Sequence, residues 1–445
     1  MQAFLPTITK HYSISGLLAK VKKIIYNYFL VRWLQEYNGG HLHNETGKNI
    51  HPPPHLFISI TLLSVLFSVF WLIKTHGSCL DVVVSASGND RFMDFFNHIT
   101  YARDRRQLYF SGMHACFPPF IYMMYYLFSK MLPADATVFD PFAISSYALL
   151  LYVIYCVVLG ILFFYSIYKL LREKGLEFTL LITLLTVFSN IFIFGPIERG
   201  NSALIVCILL LLAMALKDHS NKVVREAALI FIAIAAAIKI YPAVYGFLYL
   251  FEKRWKEACK LIVYGLLCFF LPFVFFGGAD GFLQFFQNQS AVQLGDYRGM
   301  GSILSFWNIT AVDHLHLGKS AGIMMDILYV LIAIPGSALV KELWKKTLLL
   351  SSIMILAPFW SGRYTAIYLV IPLILFLAKE QYKTVDYLYA FLFACMFLFL
   401  TYTNAKVAET TSVQLPFLIE YSSLYLMNIL LIAEAVTGFI KKRCG

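Results

Sequence analysis

Four places in this sequence carry charged side chains beside long apolar runs. They are Asp94 in MDFFNH, the Glu198-Arg199 pair in ERGNSALIV, Lys239 in AAIKIYP and Arg363 in FWSGRY. A charge placed within or against hydrocarbon is expensive, so such residues are functional candidates and are usually found with a partner of opposite charge. A carboxylate can accept a proton, and cations can hold an anionic group. The set therefore combines a candidate base with candidate anion-binding groups.

The composition indicates which elements must position these residues. The 445 residues are 60% hydrophobic and 14% charged, and the mean hydropathy is +0.71. A soluble fold cannot bury so much apolar surface, and the apolar runs have about the 20 residues that a helix needs to cross a bilayer. The formal charge of +11 comes from short Lys and Arg clusters between these runs, which is typical of a topology signal and not of a nucleic-acid-binding face. We expect an all-α polytopic membrane protein without a nucleic-acid partner.

Placing the basic clusters in the cytoplasm gives each apolar run a direction. The result is about twelve crossings, with both termini cytoplasmic and all four charged places on the external side. The predicted crossings are 56–73, 143–168, 177–195, 202–216, 226–238, 242–251, 258–276, 322–340, 347–360, 364–378, 386–402 and 417–438. Residues 116–132 are apolar but do not fit this order, so we interpret them as re-entrant or interfacial, bent at Pro118-Pro119.

The pattern predicts a cytoplasmic segment, 1–55, followed by a single membrane domain, 56–445. The segment contains an amphipathic helix at 12–36 that could lie at the membrane surface or pack on the protein itself. Two long external loops are expected at 74–115 and 277–321, where function is common. The helix break at Lys239 and Pro242 predicts a protein-enclosed or watery cavity. The eight cysteines form no CxxC or metal-ligand pattern, and no cofactor is predicted.

Five segments together resemble glycosyltransferases of the GT-C type, and among them glycosyltransferase family 87, whose members are polyprenyl-phosphate-mannose-dependent α-mannosyltransferases. The resemblance covers most of the chain from about residue 56. The segments are MDFFNHITYARDRRQLY, FPPFIYMMYYL, ERGNSALIVCILLLLAMA, AAAIKIYPAVYGFLYLFEKRW and NQSAVQLG. The AAIKIYP stretch with its basic end is the most specific of the five.

The resemblance implies a GT-C-like bundle with an active site under the first external loop and Asp94 as the general base. The expected reaction moves a hexose, mannose by default, from a polyprenyl-phosphate sugar to a glycan or glycolipid acceptor with inversion. Lys239, Arg363 and Arg199 would hold the departing phosphate. No DxD-type metal and nucleotide motif is present, which agrees with a lipid-phosphate donor. The expected location is the bacterial cell membrane, with the active site facing outside.

His98, Asn201 and Tyr241 are candidate substrate-binding residues, and His98 would share a helix face with Asp94. Each has a structural alternative: His98 as a loop histidine, Lys239 as a cation reaching the membrane surface, and Arg199 as an ordinary loop residue beside Glu198. The aromatic rings of Tyr101, Tyr109, Tyr297 and Trp307 could stack on a sugar. Asp104 is an alternative base, but three arginines surround it.

Arg363 departs from the family pattern. The chain keeps Trp360 and Ser361 but has an arginine where the family commonly has histidine, so mannose is only a default for the donor sugar.

Two other functions are compatible with the pattern. A polysaccharide polymerase or ligase would also have large external loops with arginines. A transporter or lipid-carrier flippase would show repeats between halves and charges near the membrane midplane, and neither is seen in the sequence.

Overall fold

The computed structural model describes residues 53–77, 92–111, 115–133, 145–294, 319–358, 363–400, 404–408 and 411–444. The predicted amphipathic helix at 12–36 lies outside these residues, as do Tyr297 and Trp307. Within the described ranges the chain is helical except for one hairpin, in agreement with the predicted fold class.

Fifteen helices are numbered here along the described chain. They are α1 Pro53–Lys74, α2 Met93–Ala102, α3 Pro119–Met131, α4 Ser146–Leu171, α5 Leu176–Val187, α6 Ala203–Leu216, α7 Lys222–Ile238, α8 Phe247–Phe251, α9 Trp255–Phe270, α10 Gly278–Leu294, α11 Lys319–Leu339, α12 Leu343–Leu356, α13 Val370–Leu377, α14 Val385–Met396 and α15 Leu415–Cys444. Two antiparallel strands, β1 Asn404–Ala408 and β2 Thr411–Gln414, precede α15.

Four described helical segments are long and apolar enough to cross a membrane alone. They are Pro53–Lys74, Ser146–Lys174, Trp255–Val274 and Phe417–Lys442. A fifth candidate is α5 together with Asn190–Ile197, which follows it at an angle of 66°. The remaining apolar helices are shorter than a full crossing, so the twelve predicted crossings are not confirmed.

Polar side chains connect the helices inside the bundle. Asn428 of α15 donates a hydrogen bond to Ser352 Oγ in α12 and accepts one from the Tyr329 hydroxyl in α11, both at 2.9 Å. Tyr245 and Ser351 share another at 2.8 Å. Lipid tails are as apolar as leucine, so hydrogen bonds and close packing must supply what the hydrophobic effect supplies in water.

The helix break predicted at Lys239 is confirmed. Helix α7 ends at Ile238, Lys239 has an extended backbone, and the chain continues as a 3-10 helix, Tyr241–Gly246. Pro242 accounts for part of the break because it lacks the N–H that a continuing α-helix would use. Lys239 is therefore placed at a helix end, where its side chain can leave the helix surface.

Two further irregular segments lie against this break. A π-helical segment, Ile193–Ile197, contains Pro196, and a 3-10 helix, Arg363–Leu369, precedes α13. An added Cβ at Gly195 would collide with the Cβ of Tyr364. The Tyr364 ring in turn contacts Lys239, with 4.9 Å between Nζ and the ring centroid. The irregular backbone is thus concentrated in one place, enclosed by protein.

The predicted second external loop, 277–321, begins with helix α10 and so is not irregular throughout. Several of the basic clusters predicted to be cytoplasmic form ion pairs away from this irregular region. Lys217 pairs with Glu252 at 2.7 Å, and Lys345 pairs with Glu434 at 2.7 Å. The assignment of these clusters to the cytoplasm stays a prediction.

Candidate active site

The turn that contains Glu198 and Arg199 closes the beginning of helix α2. The backbone N–H of Phe92 donates to the Glu198 carbonyl at 2.8 Å, and that of Phe95 donates to the Arg199 carbonyl at 3.2 Å. The first amides of a helix have no partner within the helix. Carbonyl groups about a hundred residues away in the sequence therefore satisfy two amides at the start of α2, and this fixes the position of Asp94.

Gly200 allows this close approach. Its φ of +71° is in the left-handed region, and an added Cβ would lie 2.7 Å from the Cβ of Phe95 and 2.9 Å from Cε2 of Tyr152. Only glycine combines that backbone conformation with no side-chain volume. The hydroxyl of Tyr152 also donates to the Ile197 carbonyl, so α4 supports the turn from its other side.

Both carboxylate oxygens of Asp94 have partners in the turn. The Arg199 guanidinium donates to Oδ1 at 2.7 Å, and the Asn201 amide donates to Oδ2 at 2.6 Å. The side-chain oxygen of Asn201 accepts from the Ala203 amide at 2.9 Å, at the start of α6. Because that oxygen is engaged by a backbone donor, the NH₂ group of Asn201 must face Asp94. The orientation of the carboxylate is thus determined from both sides.

The surroundings keep Asp94 ionised. Burial acts to raise its pKa, but the charge of Arg199 and the hydrogen bonds from Arg199 and Asn201 outweigh burial, and the pKa lies below its usual value of 3.8. An opposite charge and hydrogen bonds to the ionised form both favour the carboxylate. At neutral pH Asp94 is therefore a fixed anion.

His98 lies one turn after Asp94 in α2 and is surrounded by aromatic rings. Its Nδ1 is 3.2 Å from the Tyr122 hydroxyl, and its ring centroid is 4.4 Å from Phe117 and 5.3 Å from Tyr125. Burial lowers the pKa of His98 to about 4; Asp94 opposes this shift, and the charges of Lys239 and Arg199 add to it. In the free protein His98 is therefore a neutral imidazole at pH 7, so Lys239 and Arg199 are the charged groups beside Asp94.

Lys239 is buried at 4% exposure and faces aromatic rings. Its Nζ lies 4.2 Å from the ring centroid of Phe117 and 4.9 Å from that of Tyr364. Among the described residues it has no hydrogen bond or ion pair. Cation–π contacts offset only part of the cost of removing an ammonium group from water. The site thus contains a buried cation that can still accept an anion.

Of the other predicted residues, Tyr241 lies beside Lys239, whereas only the backbone of Arg363 is described. Tyr241 is half-buried, with its ring 6.0 Å from Lys239 and its hydroxyl 3.4 Å from that of Tyr368. Arg363 begins the 3-10 helix next to Tyr364, and its side chain lies outside the described part of the structure.

Asp104, the alternative base, is exposed. Its Oδ1 accepts from the backbone amides of Arg106 and Gln107 at 2.9 and 3.4 Å. It stabilises its own turn and does not enter the buried site. Tyr109, a candidate for sugar stacking, is buried at 1% exposure, and its hydroxyl donates to the Phe117 carbonyl at 3.0 Å. Tyr109 therefore supports the site through the backbone at Phe117.

Two residues of α10 that the sequence did not mark as site residues position the Phe117 segment. Asn288 donates to the carbonyls of Tyr109 and Ala115 at 2.9 and 3.0 Å. Gln289 donates to the Cys116 carbonyl. Together they clamp the backbone just before Phe117, whose ring contacts both His98 and Lys239. Sequence could associate the NQS motif with the family but could not show which backbone it holds.

A comparison of the sequence with known protein families decides which family the chain belongs to. The model of glycosyltransferase family 87 matches residues 133–401, which is more than half of the chain. The chain belongs to glycosyltransferase family 87. Searches of curated proteins and of solved structures return no match. Membership in family 87 makes this membrane protein a glycosyltransferase, as the sequence resemblance implied.

The match to the family 87 model includes some of the site residues and not others. Arg199, Asn201, Lys239 and Asn288 fall inside the matched residues, whereas Asp94 and His98 precede them. The contacts from Arg199 and Asn201 to Asp94 are therefore what connects α2 to the matched region.

We expect Gly200→Ala to destabilise the fold by about 2–4 kcal/mol, because left-handed backbone strain and overpacking against Phe95 add together. Thermal unfolding in detergent should show a clear drop in the melting temperature. Gly160→Ala is the matched control: Gly160 is inside α4, and its added Cβ would have no neighbour within 4 Å. Equal melting temperatures for the two variants would contradict the proposed close packing at the turn.

We expect Asn288→Ala to loosen the segment before Phe117, because two buried carbonyls lose their donor. The rate of maleimide modification at the half-buried Cys116 thiol, followed by peptide mass spectrometry, should rise several-fold. Ser290→Ala is the control, since that exposed hydroxyl donates to the Phe286 carbonyl within α10 and has no other hydrogen bond in the described part of the chain. An unchanged Cys116 rate in Asn288→Ala would show that Asn288 does not hold this segment.

Proposed function

We propose that this protein transfers a hexose, mannose by default, from a polyprenyl-phosphate sugar to a glycan or glycolipid acceptor, with inversion at the anomeric carbon. One observation carries the proposal: a fixed carboxylate, Asp94, lies near a buried cation, Lys239, that has no anionic partner among the described residues. A general base and a phosphate-binding cation are the two groups that this reaction requires.

The donor phosphate would bind at Lys239. A buried ammonium group without an anion is costly, so a phosphate that reaches it gains a charge-assisted hydrogen bond in a water-poor environment. Arg199 is the second candidate for the phosphate, and Arg363, at the start of the neighbouring 3-10 helix, is the third. The polyprenyl chain would remain in the bilayer, which accounts for a site built among membrane helices.

Asp94 would act as the base. The acceptor hydroxyl gives its proton to the Asp94 carboxylate while its oxygen forms a bond to the anomeric carbon. The bond between that carbon and the phosphate oxygen breaks, and its electron pair stays on the phosphate of the polyprenyl carrier. One displacement on the face opposite the leaving group inverts the configuration. His98, Asn201 and Tyr241 would contact or orient sugar hydroxyls around this point.

Arg199 would connect donor binding to the strength of the base. In the free protein its guanidinium lowers the pKa of Asp94, which makes the carboxylate a weak proton acceptor. A donor phosphate near Arg199 adds negative charge beside Asp94 and competes for the same N–H donors. The basicity of Asp94 then rises once the donor is bound, and this favours proton transfer only in the complete complex.

The site would face the non-cytoplasmic side. The support is the positive-inside rule, since the basic clusters assigned to the cytoplasm form their ion pairs away from Asp94 and Lys239. The bacterial cell membrane is the expected location because polyprenyl-phosphate sugars are presented there to envelope glycans.

We expect Asp94→Asn to lower kcat at least about 100-fold, because a positioned general base contributes that much or more. The measurement is transfer of labelled sugar from polyprenyl-phosphate mannose, and from other polyprenyl-phosphate sugars, to acceptor by purified protein. Asp104→Asn is the matched control: it changes a carboxylate in the same segment that lies outside the buried site, and its activity should remain near that of the wild type.

Thermal unfolding must show that Asp94→Asn is folded. Full activity in a folded Asp94→Asn protein would eliminate Asp94 as the base, and a loss confined to Asp104→Asn would transfer the role there. Movement of the lipid-linked sugar across the membrane without covalent transfer would eliminate the transferase proposal for this substrate.

We expect Arg199→Gln to move the acid limb of the kcat/KM profile to higher pH. The reaction needs the ionised carboxylate, and Arg199 is what holds the pKa of Asp94 below 3.8 against burial. Without that charge, burial raises the pKa, so activity is lost at a higher pH as the solution is acidified. Rates at each pH, compared with wild type, would check this. A lower rate with an unmoved acid limb would show that Arg199 acts on the substrate alone.

A further inference from the structure

Two cations outside the proposed site contact an aromatic pair, and a third is next to one of them in sequence. Arg105, Arg106 and Lys130, here called the basic rim, are all exposed. The Arg105 guanidinium lies 4.7 Å from the ring centroid of Phe275, and Lys130 Nζ lies 4.8 Å from that of Tyr126. The two rings meet edge to face at 5.3 Å. The result is a continuous row of Arg105, Phe275, Tyr126 and Lys130.

The cations of the basic rim have no carboxylate partner among the described residues. Asp104 is next to Arg105 in sequence, but its Oδ1 accepts backbone amides from Arg106 and Gln107. The only polar contact of the Lys130 ammonium in the described chain is the Arg103 carbonyl, at 3.4 Å. The rim therefore presents three cations without an ion-pair partner in the described chain, beside the single carboxylate of Asp104.

Apolar side chains without protein cover lie beside these charges. On α3, Met123, Leu127 and Met131 follow one another at helical spacing and are 43%, 63% and 66% exposed. Across the aromatic pair, Val274 is 80% exposed at the end of the candidate crossing Trp255–Val274. An exposed apolar stripe that ends in cations is what a lipid contacts along its length, with acyl chain on the stripe and headgroup on the charges.

We propose that the basic rim binds the phosphate headgroup of an anionic phospholipid from the surrounding leaflet. Guanidinium and ammonium groups both form charge-assisted hydrogen bonds to phosphate. Phe275 directly follows the candidate crossing Trp255–Val274 and contacts Tyr126, so both rings would lie near the headgroup region, where aromatic residues are enriched. The proposal does not depend on the donor, the acceptor or the base of the transfer reaction.

The basic rim is separate from the proposed active site. Helix α3 directs Tyr122 and Tyr125 towards His98, whereas Lys130 and the exposed stripe are on its other side. Within the described residues the three rim cations are exposed and no buried polar group lies among them to select a particular lipid. The property that the rim recognises is therefore negative charge at the depth of the headgroups. Anionic phospholipids supply that property in abundance.

The test places a diazirine-bearing amino acid at Leu127, one turn before Lys130, in the full-length protein. The protein is reconstituted in nanodiscs with equal amounts of phosphatidylglycerol and phosphatidylcholine and irradiated, and the lipid adducts are identified by mass spectrometry. We expect phosphatidylglycerol adducts to exceed phosphatidylcholine adducts at least about fivefold, because even one basic residue near the headgroups contributes about a fivefold preference. The variant Arg105→Gln, Arg106→Gln, Lys130→Gln should lose this excess.

The matched control is Lys222→Gln, Lys253→Gln, Lys256→Gln, which removes the same charge from exposed lysines elsewhere and should keep the excess. Equal adduct ratios in wild type and the rim variant would overturn the proposal, as would an equal loss in the control. A third arm adds polyprenyl phosphate at one part per hundred of lipid. If polyprenyl phosphate then replaces phosphatidylglycerol in the adducts, the rim is a carrier site and the phospholipid proposal is wrong; if phosphatidylglycerol stays in excess, the proposal stands.

Discussion

The contact of Asp94 with Arg199 and Asn201 is the interaction on which the arrangement of the site depends. It joins α2 to a turn 105 residues away in sequence, and Asn201 extends the connection to α6 through the Ala203 amide. The turn can approach α2 this closely only because Gly200 has no side chain. An ionised, largely buried carboxylate such as Asp94, 16% exposed, would be strongly destabilising without these partners. The same contact that keeps Asp94 charged therefore also holds two parts of the chain together.

The aromatic shell around this contact determines how its charges act. Phe117, Tyr122 and Tyr125 surround His98 and keep it neutral, while Phe117 also covers Lys239. Such rings exclude water without offering strong hydrogen bonds, so charges within the shell interact more strongly than they would in solvent. The aromatic shell must be rigid if it is to strengthen the interactions between these charges. The backbone clamp from Asn288 and Gln289 explains how a segment of irregular chain can be held so closely.

The sequence predicted which residues the candidate site brings together better than it predicted the contacts between them. Asp94, Arg199 and Lys239 stood out because charges are rare beside hydrocarbon, and the break at Lys239 was visible from Pro242. The pairing of Asp94 with Arg199 was not predictable, since it depends on a distant turn. Asn288 was missed as a site residue because an amide that binds backbone leaves no charge pattern. The crossings could not be counted with certainty, because hydropathy does not show where α5 bends or which short helices are paired. The family resemblance, by contrast, rested on local segments and was confirmed.

In the proposed reaction the charges of the site would balance from donor binding onwards. In the free protein Asp94 offsets Arg199, and Lys239 leaves one positive charge among the described residues. A donor phosphodiester, with one negative charge, would make the buried site neutral. On transfer, as proposed, Asp94 would gain a proton and become uncharged, while the carrier phosphate would gain a second negative charge, so two cations would again face two negative charges. Arg199, released from Asp94 at that moment, could then turn its guanidinium to the phosphate. A site with only one of these cations would be neutral in the free protein but would carry a net negative charge once the donor is bound and after transfer, which a water-poor environment strongly disfavours.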